Sequence, residues 1–287
     1  MAGSLSADFS TAASVDVLRV DYAAEALSLQ PLGSVAAPDK LHRLAWGAAG
    51  GAHAGGLLAG AVQDGSLLVW DAAKLAAGNG GGEPVLQQKK HAAAVLALDW
   101  NPAAPGLLAS GGGDGELLVW DVGRGSCVAA GGGAAAATAA VAGGARGEVL
   151  AVAWNRKVEH ILAAVAGGGH TTVVWHMRDN KPILAFHDSK QRGHRVRAVA
   201  WHPAESTQLL TVSDDDHHPV LLLWDLRNTY APTRTLHGHK KGVWAASWNA
   251  HEPALVASCG KDGATLLWDV RTGAHKLVEE LPNAWNF

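Results

Sequence analysis

Short apolar runs recur along the chain, each introduced by a polar turn. The stretches VQDGSLLVWDA (62–72), GGDGELLVWDV (112–122) and GKDGATLLWDV (260–270) share an Asp-Gly pair six residues before a Trp-Asp pair. Asp-Gly ahead of an aliphatic run is a strong signal of a tight β-hairpin. Each copy therefore predicts a hairpin whose second strand ends with a tryptophan and an aspartate.

The tryptophans repeat with a regular spacing. Two runs per unit end on tryptophan, and successive units begin about 45 to 55 residues apart. Such a period is typical of stacked or circular repeat proteins, in which bulky side chains pack between units. The tryptophans predicted to pack between units are Trp46, Trp70, Trp100, Trp120, Trp154, Trp175, Trp201, Trp224, Trp248 and Trp268.

The runs within one unit predict small sheets that are covered on both faces. VLALDW (95–100), GLLASGG (106–112) and ELLVWD (116–121) are apolar at almost every position and do not alternate. Their connections are too short for crossover helices, so neighbouring strands must pair antiparallel. Small antiparallel sheets at this period predict an all-β protein, a β-propeller whose blades pack face to face.

These units resemble the Trp-Asp (WD) repeat family, which has Gly-His near the start of a unit and Trp-Asp near its end. Gly238-His239 lies 29 residues before Trp268, and His91 lies 29 residues before Trp120. The resemblance implies a buried hydrogen-bonded relay in each of these two units, formed by His91, Ser110, Asp114 and Trp120 and by His239, Ser258, Asp262 and Trp268. Such a relay would leave no buried polar atom unpaired.

The number of units predicts an incomplete ring. Five units are complete, and residues 14–21 read as the third strand of a further blade. Propellers of the family have seven blades, and 287 residues are too few for seven such units, so we expect residues 1–287 to be one propeller domain from a longer protein. The Ala/Gly-rich stretch 129–147 is predicted to be a flexible insertion, since it lacks the large apolar residues of a membrane span.

Composition removes several classes of function. The formal charge of −3, from 23 basic and 26 acidic residues, gives no electrostatic basis for binding nucleic acid. Two cysteines cannot form a disulfide framework and fit a reducing compartment. The first residues lack the basic and apolar segments of a signal peptide, which indicates a cytoplasmic protein.

Several loops resemble one branch of the WD family, the larger outer-cage subunit of the COPII vesicle coat. The resemblance rests on ADFSTAASVDVLRVD (7–21), WNRKVEHILAA (154–164), VVWHMRDNKPI (173–183), AWHPAESTQLLTVSDDDHHPVLLLWDLRN (200–228) and SCGKDGATLLWD (258–269). It implies a non-enzymatic scaffold without cofactors, whose propeller meets other copies at cage vertices in transport from the endoplasmic reticulum to the Golgi.

That resemblance also implies partners and a location. Downstream regions would join the small propeller subunit of the outer coat. The protein would be cytoplasmic, at endoplasmic reticulum exit sites and on COPII vesicles, and would reach the membrane only through the inner coat.

Other readings of the same residues remain. Ser, His and Asp in one unit suggest a hydrolase, but the relay assigns them to the interior. The 15 histidines lack a compact ligand spacing for metal. The rival scaffold is a substrate receptor of a cullin-RING ubiquitin ligase, because WDLR (224–227) and WDVR (268–271) resemble endings found in such receptors. Arg227 and Arg271 would then dock the adaptor.

Overall fold

The aliphatic runs lie in small antiparallel sheets, and the Asp-Gly pairs lie in the hairpins. The computed structural model describes residues 13–21, 28–47, 53, 55–78, 82–131, 147–187 and 195–280. Gly65, Gly115 and Gly263 follow the hairpin aspartates with φ of +89°, +78° and +75°, where any side chain would strain the backbone. The hairpin conformation therefore explains why glycine follows aspartate in all three copies of the pattern.

Six sheets are described, and within each of them strands that follow one another in the chain are neighbours. The first contains β1 (Ala13–Asp21) and β2 (Ser28–Ala37). Blade 1 contains β3 (Leu41–Trp46), β4 (Leu57–Val62), β5 (Ser66–Asp71) and, after the short helix α1 (Ala72–Ala76), β6 (Leu86–Lys89). Blade 2 contains β7 (Val95–Trp100), β8 (Leu107–Gly112), β9 (Leu117–Asp121) and β10 (Ser126–Gly131).

The later blades repeat this order. Blade 3 contains β11 (Ala151–Trp154), β12 (Ile161–Ala166), β13 (Thr171–His176) and β14 (Lys181–Phe186), with a 3-10 turn at Gly167–Gly169. Blade 4 contains β15 (Val196–Trp201), β16 (Gln208–Ser213), β17 (Val220–Asp225) and β18 (Arg234–His237). Blade 5 contains β19 (Val243–Trp248), β20 (Leu255–Gly260), β21 (Ala264–Asp269) and β22 (His275–Glu280).

The first strands of the blades lie side by side around a common axis. Strand β7 contacts both β3 and β11, and β15 contacts both β11 and β19. The other strands of each blade extend outward from this axis, which is the geometry of a β-propeller. The structure confirms the predicted all-β fold with five complete blades.

Large apolar side chains fill the space between neighbouring blades. Trp120 of blade 2 packs in one cluster with Leu57 and Leu67 of blade 1. Strands β4 and β5 are buried at every position because both faces of blade 1 are covered. The tryptophans that the structure buries between sheets are Trp70, Trp100, Trp120, Trp154, Trp175, Trp201, Trp224 and Trp268.

Trp46 corrects the sequence prediction, because it does not pack between blades. It ends β3 and is 58% exposed. Its indole N–H reaches only the carbonyl of Gly55, at 3.3 Å. Trp100 ends β7 and is buried because β3 lies beside it, but no described inner strand precedes β3. Trp248, which ends β19, is half-buried.

The two ends of the series differ from the interior blades. The sequence predicts that residues 14–21 form the third strand of a further blade. In the structure they lie in β1, which pairs antiparallel with β2, the next strand along the chain. This two-stranded sheet packs against blade 1 through Val15, Val17 and Val35. Blade 5 alternates buried and exposed positions, since no described sheet covers its outer face.

Some sequence predictions fall outside the described residues. Residues 132–146, which make up most of the Ala/Gly-rich stretch, are not among the described residues. Residues 188–194 and 281–287 are also outside the described ranges. Within the described ranges, no helix combines the length and the apolar character needed to cross a bilayer.

Candidate functional site

The polar residues predicted for the last unit form one hydrogen-bonded chain inside blade 5. The Trp268 indole N–H donates to Ser258 Oγ at 2.8 Å, and Ser258 Oγ lies 2.7 Å from His239 Nε2. His239 Nδ1 lies 3.1 Å from both carboxylate oxygens of Asp262. An indole can only donate and a carboxylate can only accept, so the serine hydroxyl donates to Nε2 and Nδ1–H donates to the carboxylate.

Blade 2 contains a second relay with the same geometry. The Trp120 indole N–H donates to Ser110 Oγ at 2.8 Å, and Ser110 Oγ lies 2.8 Å from His91 Nε2. His91 Nδ1 lies 3.1 and 3.2 Å from the two oxygens of Asp114. Ser110 is fully buried and His91 nearly so. The structure thus brings together all eight residues predicted for the two relays.

Both relay carboxylates are stabilised as anions. Burial raises the pKa of Asp262, but the backbone N–H groups of Lys240 and Ala264 and the imidazole of His239 outweigh it and hold the pKa below its ordinary value. Burial also raises the pKa of Asp114. The backbone N–H groups that donate to its carboxylate, together with His91, outweigh this effect, so the pKa of Asp114 is lowered as well. Each aspartate therefore accepts from its imidazole while ionised at neutral pH.

The lowered pKa of Asp262 predicts how stability responds to acid. The folded state favours ionised Asp262, so its stabilisation is present above the unfolded pKa of about 3.9 and is lost as the pH falls through the folded pKa. The free energies of unfolding of the wild type and of Asp262→Asn, measured with urea, should therefore differ most near neutral pH. This difference should shrink below about pH 4. A difference that stays constant across this range would contradict ionised Asp262 in the relay.

In the remaining blades, the described residues form only parts of a relay. In blade 4 the Trp224 indole N–H donates to Thr211 Oγ1 at 2.9 Å. In blade 1 the Asp64 carboxylate accepts from the backbone and hydroxyl of Ser66, at 2.9 and 3.0 Å. Sequence reasoning missed Thr211, because its separation from Trp224 is 13 residues. In the two full relays, the serine lies 10 residues before the tryptophan. The longer hairpin SDDDHHPV (213–220) accounts for the shift.

The inner-strand tryptophans join each blade to the one before it. The Trp100 indole N–H donates to the carbonyl of Ala45 at 2.9 Å. Trp201 donates in the same way to Ala153 at 2.9 Å. Blade 3 differs, because the backbone N–H of Trp154 donates to the Asp99 carboxylate at 2.7 Å, while its indole nitrogen has no hydrogen-bond partner among the described residues. The first tryptophans of blades 2 and 4 thus add a directional hydrogen bond to their packing.

The asparagines that follow Trp100 and Trp154 link the loops of successive blades. Asn101 Nδ2–H donates to the carbonyl of Glu159 at 2.7 Å, and Asn155 Nδ2–H donates to that of Ser206 at 2.8 Å. The side-chain Oδ1 of each asparagine also accepts a backbone N–H of its own turn. Asn101 Oδ1, for example, accepts from the Ala103 N–H at 2.9 Å. Sequence reasoning missed these links, although the repeated Trp-Asn pair at 100–101, 154–155 and 248–249 was a signal for them.

The central channel contains one carboxylate in unusual surroundings. A cavity of about 730 Å³ is lined by Asp99, Arg43 and Arg156 among mainly apolar residues of the inner strands. Burial raises the pKa of Asp99, even though the Arg156 guanidinium lies 3.6 Å away. Because Asp99 accepts from Trp154 of the next blade, its clearest role is structural.

The comparisons with known proteins agree with this geometry. The family described as WD domain, G-beta repeat matches residues 82–121 and 230–269. These two ranges contain all eight residues of the two full relays. Protein transport protein SEC31 of Chaetomium globosum is 40% identical over 99% of this chain and 21% of its own length. Protein transport protein Sec31A of Danio rerio is 36% identical over 99% of this chain and 22% of its own length.

The solved structure of the COPII outer coat vertex on membranes gives the matching fold. It superposes with a TM-score of 0.76 and 26% identity, covering 96% of this chain and 69% of that one. The chain is a WD-repeat propeller related to SEC31. It spans about a fifth of the length of the curated SEC31 relatives that it matches, at 21 and 22%.

In this WD-repeat propeller, the two arginines of the alternative reading lie at the surface. Arg227 and Arg271 each have a side chain that is 74% exposed. The Arg271 guanidinium lies 3.5 Å from Asp269, and that of Arg227 lies 4.0 Å from Asp225. Each arginine thus contacts the aspartate of its own Trp-Asp pair, and adaptor docking through them stays a prediction.

The relays of the SEC31-related propeller do not present a nucleophile to solvent. Ser258 is 3% exposed, and Trp268 and His239 occupy both sides of its hydroxyl. In the part of the chain that the structure describes, no three His, Cys, Asp or Glu side chains are grouped to hold a metal ion.

Proposed function

We propose that this chain is the propeller of a SEC31-type subunit of the COPII outer coat and acts at a cage vertex during transport from the endoplasmic reticulum to the Golgi. The observation that carries the proposal is the superposition of 96% of the chain on a protein of the outer coat vertex. SEC31 relatives that are 40% identical over almost the whole chain support the same assignment.

The proposed role is that of a non-enzymatic scaffold. A serine, a histidine and an aspartate in hydrogen-bond contact would suggest hydrolysis, but here each hydroxyl is buried, accepts an indole N–H and donates to the imidazole. The buried tryptophans and relays instead stabilise a rigid set of blades, which is what a vertex element requires. No cofactor is needed for this role.

The proposed partners follow from the longer protein to which the relatives correspond. Other copies of the chain would meet it at vertices, and the small propeller subunit of the outer coat would join regions beyond it. The protein would be cytoplasmic, at endoplasmic reticulum exit sites and on COPII vesicles, with membrane contact through the inner coat. Neither nucleic acid nor direct membrane insertion belongs to this role.

A chimera tests the proposal. The segment of Dictyostelium discoideum SEC31 that matches this chain, 33% identical over 93% of it, is replaced by this chain in cells lacking the original protein. We expect the chimera to collect at endoplasmic reticulum exit sites and to support secretion, whereas deletion of the segment should not. A diffuse chimera that supports no secretion would contradict the proposal.

The same cells distinguish the ubiquitin-ligase reading. If the chain were a substrate receptor, immunoprecipitation would recover a cullin adaptor, and Arg227→Ala or Arg271→Ala would abolish its recovery. The scaffold proposal predicts recovery of coat subunits instead, unchanged by either substitution.

A further inference from the structure

Four of the inner strands carry a β-bulge near their first residue. The pairing of β3, β7, β15 and β19 with the next strand shifts by one residue, at His42, Leu96, Arg197 and Trp244 respectively. Such β-bulges turn a side chain away from the regular alternation of a sheet. In blades 4 and 5 this device brings an arginine and a tryptophan together.

Trp244 is held in place but remains open to solvent. It is 48% exposed, whereas the tryptophans between blades are buried. The Arg197 guanidinium lies 5.3 Å and the Lys261 ammonium 5.7 Å from the centre of its ring. Cation–π contacts at these distances orient the indole without covering it completely. We call Arg197, Trp244 and Lys261 the Trp244 rim.

The Trp244 rim is pre-organised by the acidic hairpin of blade 4. Lys261 Nζ donates to the carbonyl of Asp214 at 2.7 Å and lies 3.2 Å from Asp216 Oδ1. Asp216 Oδ1 also accepts from the backbone N–H of Gly242 at 3.0 Å. The segment 213–220 therefore links blades 4 and 5. A ligand at this rim would not need to order it first.

Among the described residues, Arg197 is the cation of the Trp244 rim that has no ion pair, whereas Lys261 and Lys241 both act on Asp216. Asp214 lies 3.9 Å from Arg195, and Asp216 is engaged by Lys261. Within the described ranges, no carboxylate lies at ion-pair distance from Arg197, Lys240 or Lys241. The Asp262 carboxylate nearby is already committed to His239 and to the backbone N–H of Lys240.

We propose that the Trp244 rim binds an extended acidic segment of a partner protein, with a carboxylate against Arg197 and an adjacent apolar side chain on Trp244. Tryptophan and arginine are among the residues that are enriched at protein interfaces. This binding is separate from the proposed coat role and stands or falls without it.

A labelled peptide tests the proposal. The probe is the fluorescein-tagged octapeptide Gly-Asp-Leu-Asp-Phe-Asp-Leu-Gly, and its control has asparagine for each aspartate. Fluorescence anisotropy with the 287-residue chain should show the aspartate peptide binding about tenfold more tightly or better, with affinity falling as salt rises. Trp244→Ala and Arg197→Gln should each weaken binding about tenfold.

Two control variants match those substitutions elsewhere. Trp46→Ala removes another exposed indole, from the opposite end of an inner strand, and Arg178→Gln removes another exposed arginine. Both should bind the peptide as the wild type does, and circular dichroism should show all four variants folded. Equal affinity for the two peptides, undetectable binding at about 1 mM, or wild-type binding by folded Trp244→Ala would each overturn the proposal.

Discussion

Replacing Trp120 by alanine is expected to lower the free energy of unfolding by about 3 to 5 kcal/mol. Trp120 is 1% exposed and packs between blades 1 and 2 beside Leu57, Leu108 and Val95. Truncation removes this packing and leaves a cavity that the rigid sheets cannot fill. It also leaves the hydroxyl of Ser110 without its indole donor. Urea unfolding of the wild type and the variant measures the difference.

The matched control is Trp46→Ala, the same substitution at an exposed tryptophan of the same chain. Trp46 is not packed between blades, so its loss should change the unfolding free energy by only about 0.5 kcal/mol. Similar losses for the two variants would show that burial between blades does not determine what tryptophan contributes here.

Replacing Ser110 by alanine should lower the free energy of unfolding by about 1 to 3 kcal/mol. The hydroxyl accepts from the Trp120 indole and contacts His91 Nε2, so its removal leaves two buried polar groups without partners. The exposed Ser34 provides the control, because Ser34→Ala breaks no buried hydrogen bond. Thermal and urea unfolding should both rank the two variants in this order.

A double-mutant cycle separates the relay from simple packing. Trp120→Phe keeps most of the ring volume but removes the indole N–H, so Ser110→Ala should be less damaging in that background. We expect a coupling energy of about 0.5 to 3 kcal/mol between the two positions. Additive effects would mean that the hydrogen bond between them contributes nothing.

The strands and the relays were predictable because their signals are local and repeated. Asp-Gly fixes a hairpin within four residues, and the aliphatic runs must be covered on both faces. His239 and Asp262 lie 23 residues apart, yet the period of the repeat places them together. The same period identified Trp268 as a residue buried between blades.

The features that sequence reasoning missed depend on neighbours that the pattern does not encode. Trp46 follows the same local pattern as Trp100, but among the described residues no inner strand lies beside it as β3 lies beside Trp100. Thr211 lies behind a longer hairpin, so counting residues from Trp224 did not find it. The Trp244 rim arises from bulges in two adjacent blades, and no single stretch of sequence shows which side chains such bulges bring together.

Hydrogen exchange of the indole N–H protons, followed by NMR with Trp→Phe variants for assignment, tests most directly whether tryptophans wedged between sheets hold the propeller together. We expect the protons of Trp120, Trp224 and Trp268, each bonded to a buried hydroxyl, to exchange only on global unfolding. Those of Trp46 and Trp244 should exchange rapidly. Exchange of the first three as fast as that of Trp46 would contradict the blade structure described above.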